Sequence, residues 1–103
     1  MQEPEMIQLQ NINQGVGNTR LPRAKYEIYR QAILAAVPET GPGILFRDLP
    51  SAVREFLPIE KLSQLGSVSW HVTTVKLDLE ARGLIERVPG SKPQRLRRPS
   101  KSA

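Results

Sequence analysis

The residues that could perform chemistry are few and scattered along the chain. There is no cysteine and only one histidine, His71, so thiolate zinc sites and cysteine nucleophiles are excluded. Asp78 and Glu80 lie two residues apart in a segment with helical patterning. Their side chains therefore point in different directions and do not form a cooperating carboxylate pair. The glycines match neither a phosphate-binding loop nor a dinucleotide fingerprint.

These observations favour a protein without catalytic machinery. A convergent acid, base and nucleophile would be the signature of an enzyme, and the sequence offers no such set. We expect His71 to be a partly exposed histidine without a catalytic role. We therefore predict no enzymatic activity, no metal and no cofactor, and no small-molecule substrate is evident.

Positive charge is concentrated at the C-terminal end. Residues 84–103 contain six basic residues and one acidic residue, Glu86. This segment therefore accounts for the whole net charge of +5. Such a local excess attracts polyanions, including nucleic acid, without indicating sequence specificity. A basic tail that only increases solubility is the alternative interpretation.

The length and composition predict one folded domain with polar ends. A chain of 103 residues has room for one hydrophobic core. We assign residues 1–20 to an N-terminal arm, residues 21–98 to the folded domain and residues 99–103 to a frayed tail. In the arm, Ile7 and Leu9 alternate with glutamines, which predicts either a short strand, broken at Gly15 and Gly17, or a flexible segment.

Three helices are predicted in the domain. The first runs from Ala24 to Val37 and ends at Pro38, and the second follows a short buried strand at 44–46. The third runs from Ser67, a suitable N-cap, to Arg82, before Gly83. The first helix has a predicted apolar row of Ile28, Ala32, Ile33, Leu34, Ala35 and Val37. The third helix has a predicted apolar row of Val68, Val72, Val75 and Leu79.

The third helix also has a second apolar face. Trp70, Leu77 and Ala81 lie nearly opposite the predicted core row. The N-terminal arm, the linker before the helix or another subunit must cover them. Because tryptophan is favoured at interfaces, the sequence allows a homodimer or another protein interaction at this face.

A basic hairpin completes the predicted domain. Residues 84–88 and 94–98 read as strands that flank a turn at 89–93. Three helices, a short strand and this hairpin are the elements of a winged helix-turn-helix. We therefore predict an α+β fold with a three-helix core and a small antiparallel wing.

Several segments carry a family resemblance. The run VKLDLEARGLI at residues 75–85, with Lys25-Tyr26-Glu27 and Ala32-Ile33-Leu34, resembles a family of small bacterial winged-helix proteins of unknown function. The similarity covers about residues 7–98, and includes Asn11-Ile12-Asn13 and Lys92-Pro93-Gln94-Arg95-Leu96. Related members carry paired aromatics followed by a lysine where this chain has Ser69-Trp70-His71, so no role for that lysine is transferred. The resemblance implies a winged-helix fold and supplies no activity.

Double-stranded DNA is the partner that these patterns favour. The outward stripe of the third helix consists of Ser69, Thr73, Lys76 and Glu80. It would enter a major groove while the hairpin meets phosphates, as expected of a transcriptional regulator. Within this stripe, Glu80 would repel the DNA backbone unless it is paired. The candidate DNA-binding residues are Ser69, Thr73, Lys76, Arg87, Lys92, Arg95, Arg97 and Arg98. The alternative is an interaction or homo-oligomerisation module that uses Trp70, Leu77 and Ala81 and does not bind DNA.

The sequence also gives an expected location. No apolar run approaches the roughly 20 residues of a membrane-spanning helix, and the N-terminus lacks the layout of a signal peptide. We therefore expect no association with a membrane and a cytoplasmic protein.

Overall fold

The computed structural model describes residues 5–99, which form an α+β fold with two small antiparallel sheets. The strands and helices are β1 (Met6–Asn11), β2 (Gly15–Pro22), α1 (Arg23–Ala36), β3 (Ile44–Leu45), α2 (Leu49–Arg54), α3 (Val68–Ala81), β4 (Glu86–Arg87) and β5 (Arg95–Arg97). Two short 3-10 helices, Phe46–Asp48 and Ile59–Gln64, precede α2 and α3. The predicted α+β class is thus confirmed.

The N-terminal segment forms an antiparallel hairpin that packs on the rest of the protein. Ile7 pairs with Leu21, and the register shifts between Gln8 and Gln10. Leu9 of β1 retains 1% of its exposed surface and belongs to the main core. Of the two alternatives for this segment, the strand is therefore correct. The predicted break at Gly15 and Gly17 is wrong, because β2 includes both glycines.

Helix α1 buries much of its predicted apolar row together with two tyrosines that the prediction omits. Its most deeply buried large side chains are Tyr26, Tyr29 and Ile33, whereas Ala35 is exposed. The tyrosine hydroxyls donate hydrogen bonds to the Asp78 carboxylate at 2.6 Å and to the Leu65 carbonyl at 3.0 Å. A buried tyrosine needs such a partner. Both partners lie far along the chain, so helical periodicity alone does not show that the two tyrosines are buried.

Helix α3 follows the sequence prediction closely. The Ser67 hydroxyl caps the helix by accepting a hydrogen bond from the Trp70 amide. Gly83 follows the helix with a φ of +77°, a conformation that favours glycine at a helix C-terminus. The predicted row of Val68, Val72, Val75 and Leu79 lies in the core. These side chains seal α3 against α1 and α2.

The second sheet lies at the C-terminal end of the chain. Its strand order is β3–β5–β4 with antiparallel pairing throughout. Leu96 of β5 pairs with Ile44 and with Arg87 and is fully buried. The hairpin is therefore present, although its strands are shorter than the predicted ones. Within residues 5–99 no helix has both the length and the apolar character needed to cross a bilayer.

Candidate functional site

The outer surface of α3 is exposed mainly in its N-terminal half. Ser69 and Thr73 point to solvent there, on the predicted outward stripe, and Trp70 is 48% exposed. Farther along the helix, Leu77 and Ala81 are only partly exposed. The accessible surface of α3 is therefore a short polar and aromatic patch at the beginning of the helix.

Lys76 and Glu80 do not lie on an exposed stripe, and this part of the sequence-based placement is wrong. Each side chain keeps only 3% of its exposure, and the Lys76 Nζ lies 3.2 Å from a Glu80 carboxylate oxygen. The Lys76 Nζ also lies 4.5 Å from the centre of the Phe46 ring. Burial lowers the pKa of the Lys76 ammonium, and Glu80 opposes that effect. The segment after β3 covers Lys76, so this lysine is not accessible to a DNA backbone.

Arg87 of β4 is paired with the same buried carboxylate. Its Nε lies 2.7 Å from a Glu80 oxygen, and its Nη2 donates to the Asn13 side chain at 3.4 Å. The hydrogen bond to Glu80 raises the pKa of the Arg87 guanidinium. Glu80 thus bridges two cations from different elements. The repulsion of DNA expected from an exposed Glu80 does not apply to this arrangement.

Two further hairpin arginines are neutralised by carboxylates. Arg97 lies 2.6 Å from Glu86, and Arg98 lies 2.9 Å from Glu39. The Arg98 Nε also donates to the Val37 carbonyl at 3.1 Å. These side chains therefore tie the C-terminal strand to its neighbours, which reduces the positive charge that the hairpin offers to an external anion.

Lys92 and Arg95 differ from the other hairpin cations. Among the residues that the structure describes, neither forms a salt bridge with a carboxylate. Lys92 is exposed in the connection between β4 and β5, and the Arg95 Nη1 donates to the Gly43 carbonyl at 3.4 Å. The accessible, unneutralised charge of the hairpin is therefore centred on these two residues.

The second apolar face of α3 is partly covered by the N-terminal hairpin. A groove of about 290 Å³ separates the hairpin from the outer surface of the helix. Trp70 and Leu77 form part of its helical wall, and Asn11, Gln14 and other hairpin residues form the opposite wall. The hairpin approaches Leu77 but leaves about half of Trp70 exposed. We name this depression the Trp70 groove.

Asp78 is a buried polar residue whose role the sequence did not reveal. Its carboxylate accepts hydrogen bonds from the Tyr26 hydroxyl at 2.6 Å, the Gln10 amide at 2.8 Å and the Arg82 Nε at 2.9 Å. Burial, followed by the bond to Asp78, raises the pKa of the Tyr26 hydroxyl. The spacing of Asp78 and Arg82 is a visible signal of an ion pair. The other two partners become visible only when β1 and α1 meet α3.

His71 is buried, so the expectation of a partly exposed histidine is wrong. It keeps 7% of its exposure, and its ring stacks on Tyr29 with centres 4.9 Å apart and planes 7° apart. Its Nδ1 lies 2.6 Å from the Ser67 carbonyl, a geometry in which the ring nitrogen donates. Burial lowers the pKa of the imidazole. This environment makes His71 part of the packing that supports Trp70, whose ring meets it edge-on at 4.8 Å.

The comparisons with known proteins define a family and no activity. Within residues 5–99 no group of three or more histidine, aspartate or glutamate side chains could hold a metal ion. No curated protein and no solved structure matches the chain. A family model does match, and it covers residues 6–96, which is most of the sequence. The chain therefore belongs to DUF6958, a family of unknown function.

Proposed function

We propose that this protein is a winged helix-turn-helix domain that binds double-stranded DNA through the beginning of α3 and the connection between β4 and β5. The element order α1, β3, α2, α3, β4, β5 and the sheet order β3–β5–β4 support the proposal. In helix-turn-helix proteins, the N-terminal residues of the recognition helix contact the base edges of the major groove. Residues Ser69 and Thr73 correspond to that part of α3.

The observation that carries the proposal is that Phe46 contacts both the segment before β5 and helix α3. The Phe46 amide donates to the Gln94 carbonyl at 2.9 Å, next to Arg95. The Phe46 ring in turn lies 4.5 Å from the Lys76 Nζ, one turn of helix after Thr73. These contacts support a surface on which the exposed hydroxyls of α3 and the hairpin cations Lys92 and Arg95 lie on the same side. A duplex lying on that surface would place phosphates near Lys92 and Arg95.

The expected DNA binding is weak and has little sequence preference. Serine and threonine hydroxyls contact several bases and phosphates, and α3 exposes no arginine or asparagine that would read a base directly. Lysine and arginine contacts to phosphate supply attraction for any sequence. Regulation of transcription is the role that such a domain would serve, with specificity supplied by additional contacts.

A titration with a labelled duplex of random sequence at low ionic strength tests the proposal. Lys92→Ala should weaken binding several-fold. It should also make the slope of log K against log salt concentration shallower by about 1. Arg30→Ala is the matched control, because it removes one positive charge from α1, outside the proposed surface. Lys76→Met should leave the affinity unchanged, since that lysine is buried. Fluorescence anisotropy measures all four proteins.

Two outcomes of the titration would refute the DNA-binding proposal, and a third would contradict the surface that it names. One is the absence of any binding by the wild-type protein at low ionic strength. The other is an equal loss of affinity in Lys92→Ala and Arg30→Ala, which would show that only net charge matters. A larger loss in Lys76→Met than in Lys92→Ala would also contradict the proposed surface.

Protein interaction is the second candidate function, and the exposure of Trp70 favours it. A tryptophan that is 48% exposed is an unusual use of a large aromatic side chain on a small protein. A homodimer through this face should appear in size-exclusion chromatography with light scattering as a mass twice that of the chain. Trp70→Ala should then return the protein to a monomer. A monomeric wild type at high concentration would exclude the homodimer.

A further inference from the structure

We infer that the Trp70 groove binds an uncharged, planar nucleobase, supplied by a free nucleoside or by an unpaired base of a nucleic-acid strand. This groove adjoins the α3 part of the proposed duplex-binding surface, because Trp70 lies between Ser69 and Thr73 in the sequence, but its base-binding chemistry does not depend on duplex binding. The inference rests on the shape of the groove, on the exposed indole ring and on the chemistry of its polar lining.

The dimensions of the groove suit one small ring system. Its volume of about 290 Å³ is close to the lower end of the range for small-molecule sites, which is roughly 300–1,000 Å³. One wall is the outer surface of α3, and the other is the β1–β2 hairpin. Asp78 accepts from the Gln10 amide at 2.8 Å and Arg82 donates to the Gln8 carbonyl at 3.3 Å. These contacts fix the hairpin against the helix, so the groove is preformed.

Trp70 provides a supported aromatic surface. The edge-on contact with His71 holds the indole, and His71 is itself stacked on the buried Tyr29. The Ser67 cap fixes the helical turn to which Trp70 belongs. About half of the Trp70 surface remains exposed. Because Trp70 lines the groove, a planar base in the groove would meet the exposed part of the indole, on which it can stack.

The polar lining suits the edge of a base. Asn11 Oδ1 accepts a hydrogen bond from the Asn13 amide at 2.8 Å, which orients the side chain and leaves its NH₂ group for a ligand. Gln14 adds a second carboxamide, and Thr19 and Thr74 add hydroxyl groups. Carboxamides carry a donor beside an acceptor and match the adjacent acceptor and donor of a base such as adenine.

The charge of the lining indicates that the bound group is neutral. None of the described residues that line the groove has an ionisable side chain. A phosphate or carboxylate placed there would lose its hydration without gaining a cation. A nucleobase is uncharged near neutral pH, so the sugar and any phosphate of the ligand should lie outside the groove.

Trp70 is the only tryptophan in the chain and reports directly on its own site. Adenosine, guanosine, cytidine, uridine and thymidine are titrated separately while indole fluorescence is excited at wavelengths where nucleosides do not absorb. We expect saturable quenching by at least one nucleoside. Gln14→Ala should weaken that binding by about 2- to 10-fold, the effect of one lost hydrogen bond. Gln31→Ala, on the exposed surface of α1, is the matched control and should bind normally.

Isothermal titration calorimetry extends the test to a variant without the indole. Trp70→Ala should lose the heat of nucleoside binding, while circular dichroism shows whether the variant remains folded. If that variant does not fold, Trp70→Phe, which retains a stacking ring, should weaken binding without abolishing it. Saturable binding of a single-stranded oligonucleotide, with no quenching by the same sequence in a duplex, would identify an unpaired base as the source. Binding of nucleosides alone would identify a free ligand.

The inference fails if no nucleoside and no single strand quenches Trp70. It also fails if ribose or methyl glucoside quenches as strongly as a nucleoside, because the groove would then recognise a sugar. Equal weakening by Gln14→Ala and Gln31→Ala would remove the groove from the explanation. Duplex binding is tested separately by Lys92→Ala, a substitution that lies outside the groove.

Discussion

Asp78 connects three elements of the fold through one buried carboxylate. Asp78→Asn should destabilise the protein by about 3 kcal/mol, because Arg82 loses its ionic partner and the hydrogen bonds to Tyr26 and Gln10 are disturbed. Chemical denaturation with urea measures the free energy of unfolding. The control is Glu27→Gln, since Glu27 pairs with Arg30 at 3.6 Å on the surface.

The control substitution should cost less than about 0.5 kcal/mol, as is usual for an exposed ion pair. Both variants replace a carboxylate by an amide. The two sites differ in the burial of that carboxylate and in the number of its partners. Similar losses of stability in the two variants would contradict a structural role for Asp78.

The pH dependence of stability should contain a contribution from His71. Burial lowers the pKa of the folded imidazole below its ordinary value near 6.5. The unfolded chain therefore takes up a proton at a higher pH than the folded protein does. The contribution of His71 to stability is complete above about pH 7 and decreases as the pH falls through the unfolded pKa of about 6.5. It stops changing once the folded imidazole is also protonated.

Urea denaturation at several pH values between about 7 and 5.5 measures this contribution. The free energy of unfolding should decrease over that range in the wild-type protein. In His71→Asn it should stay nearly constant, although its absolute value will be lower because the ring stack with Tyr29 is lost. Parallel curves for the two proteins would show that His71 does not titrate in this range.

At the scale of elements, the N-terminal hairpin behaves as part of the folded core. Leu9→Ala should cost about 2–5 kcal/mol, because Leu9 is 1% exposed and packs within the main cluster. Ile59→Ala is the matched control, since Ile59 is 83% exposed, and it should cost little. Thermal or urea unfolding compares the two. Equal, small effects would mean that the hairpin contributes little to stability.

The sequence predicts helix α3 better than the β1–β2 hairpin, because only α3 is defined by local signals. The cap Ser67, the apolar row and Gly83 are all local signals, and they define α3 without its neighbours. The β1–β2 hairpin depends on contacts with α3, including Gln10 to Asp78, that span most of the chain. A polar segment with only Ile7 and Leu9 as apolar alternation gives no indication of such distant partners.

At the scale of the whole molecule, salt bridges to carboxylates neutralise three of the five cations of the β4–β5 hairpin. The five cations are Arg87, Lys92, Arg95, Arg97 and Arg98. If all five contacted DNA phosphates, the slope of log K for duplex binding against log salt concentration would be about −4.5. With only Lys92 and Arg95 available, we expect a slope of about −2. Anisotropy titrations at a series of salt concentrations measure it. A slope near the steeper value would show that DNA displaces the carboxylate partners.

The sequence by itself determined the α+β class, the limits of α3, its buried apolar row and the concentration of basic residues at the C-terminal end. Each of these depends on residue type and short-range spacing. Tertiary structure decided which charged groups remain accessible. Lys76 and Glu80 occupy an outward stripe by helical spacing, but the 3-10 helix that contains Phe46 and strand β4 cover them. The accessibility of a side chain depends on what packs over it, and that packing brings together residues far apart in the chain.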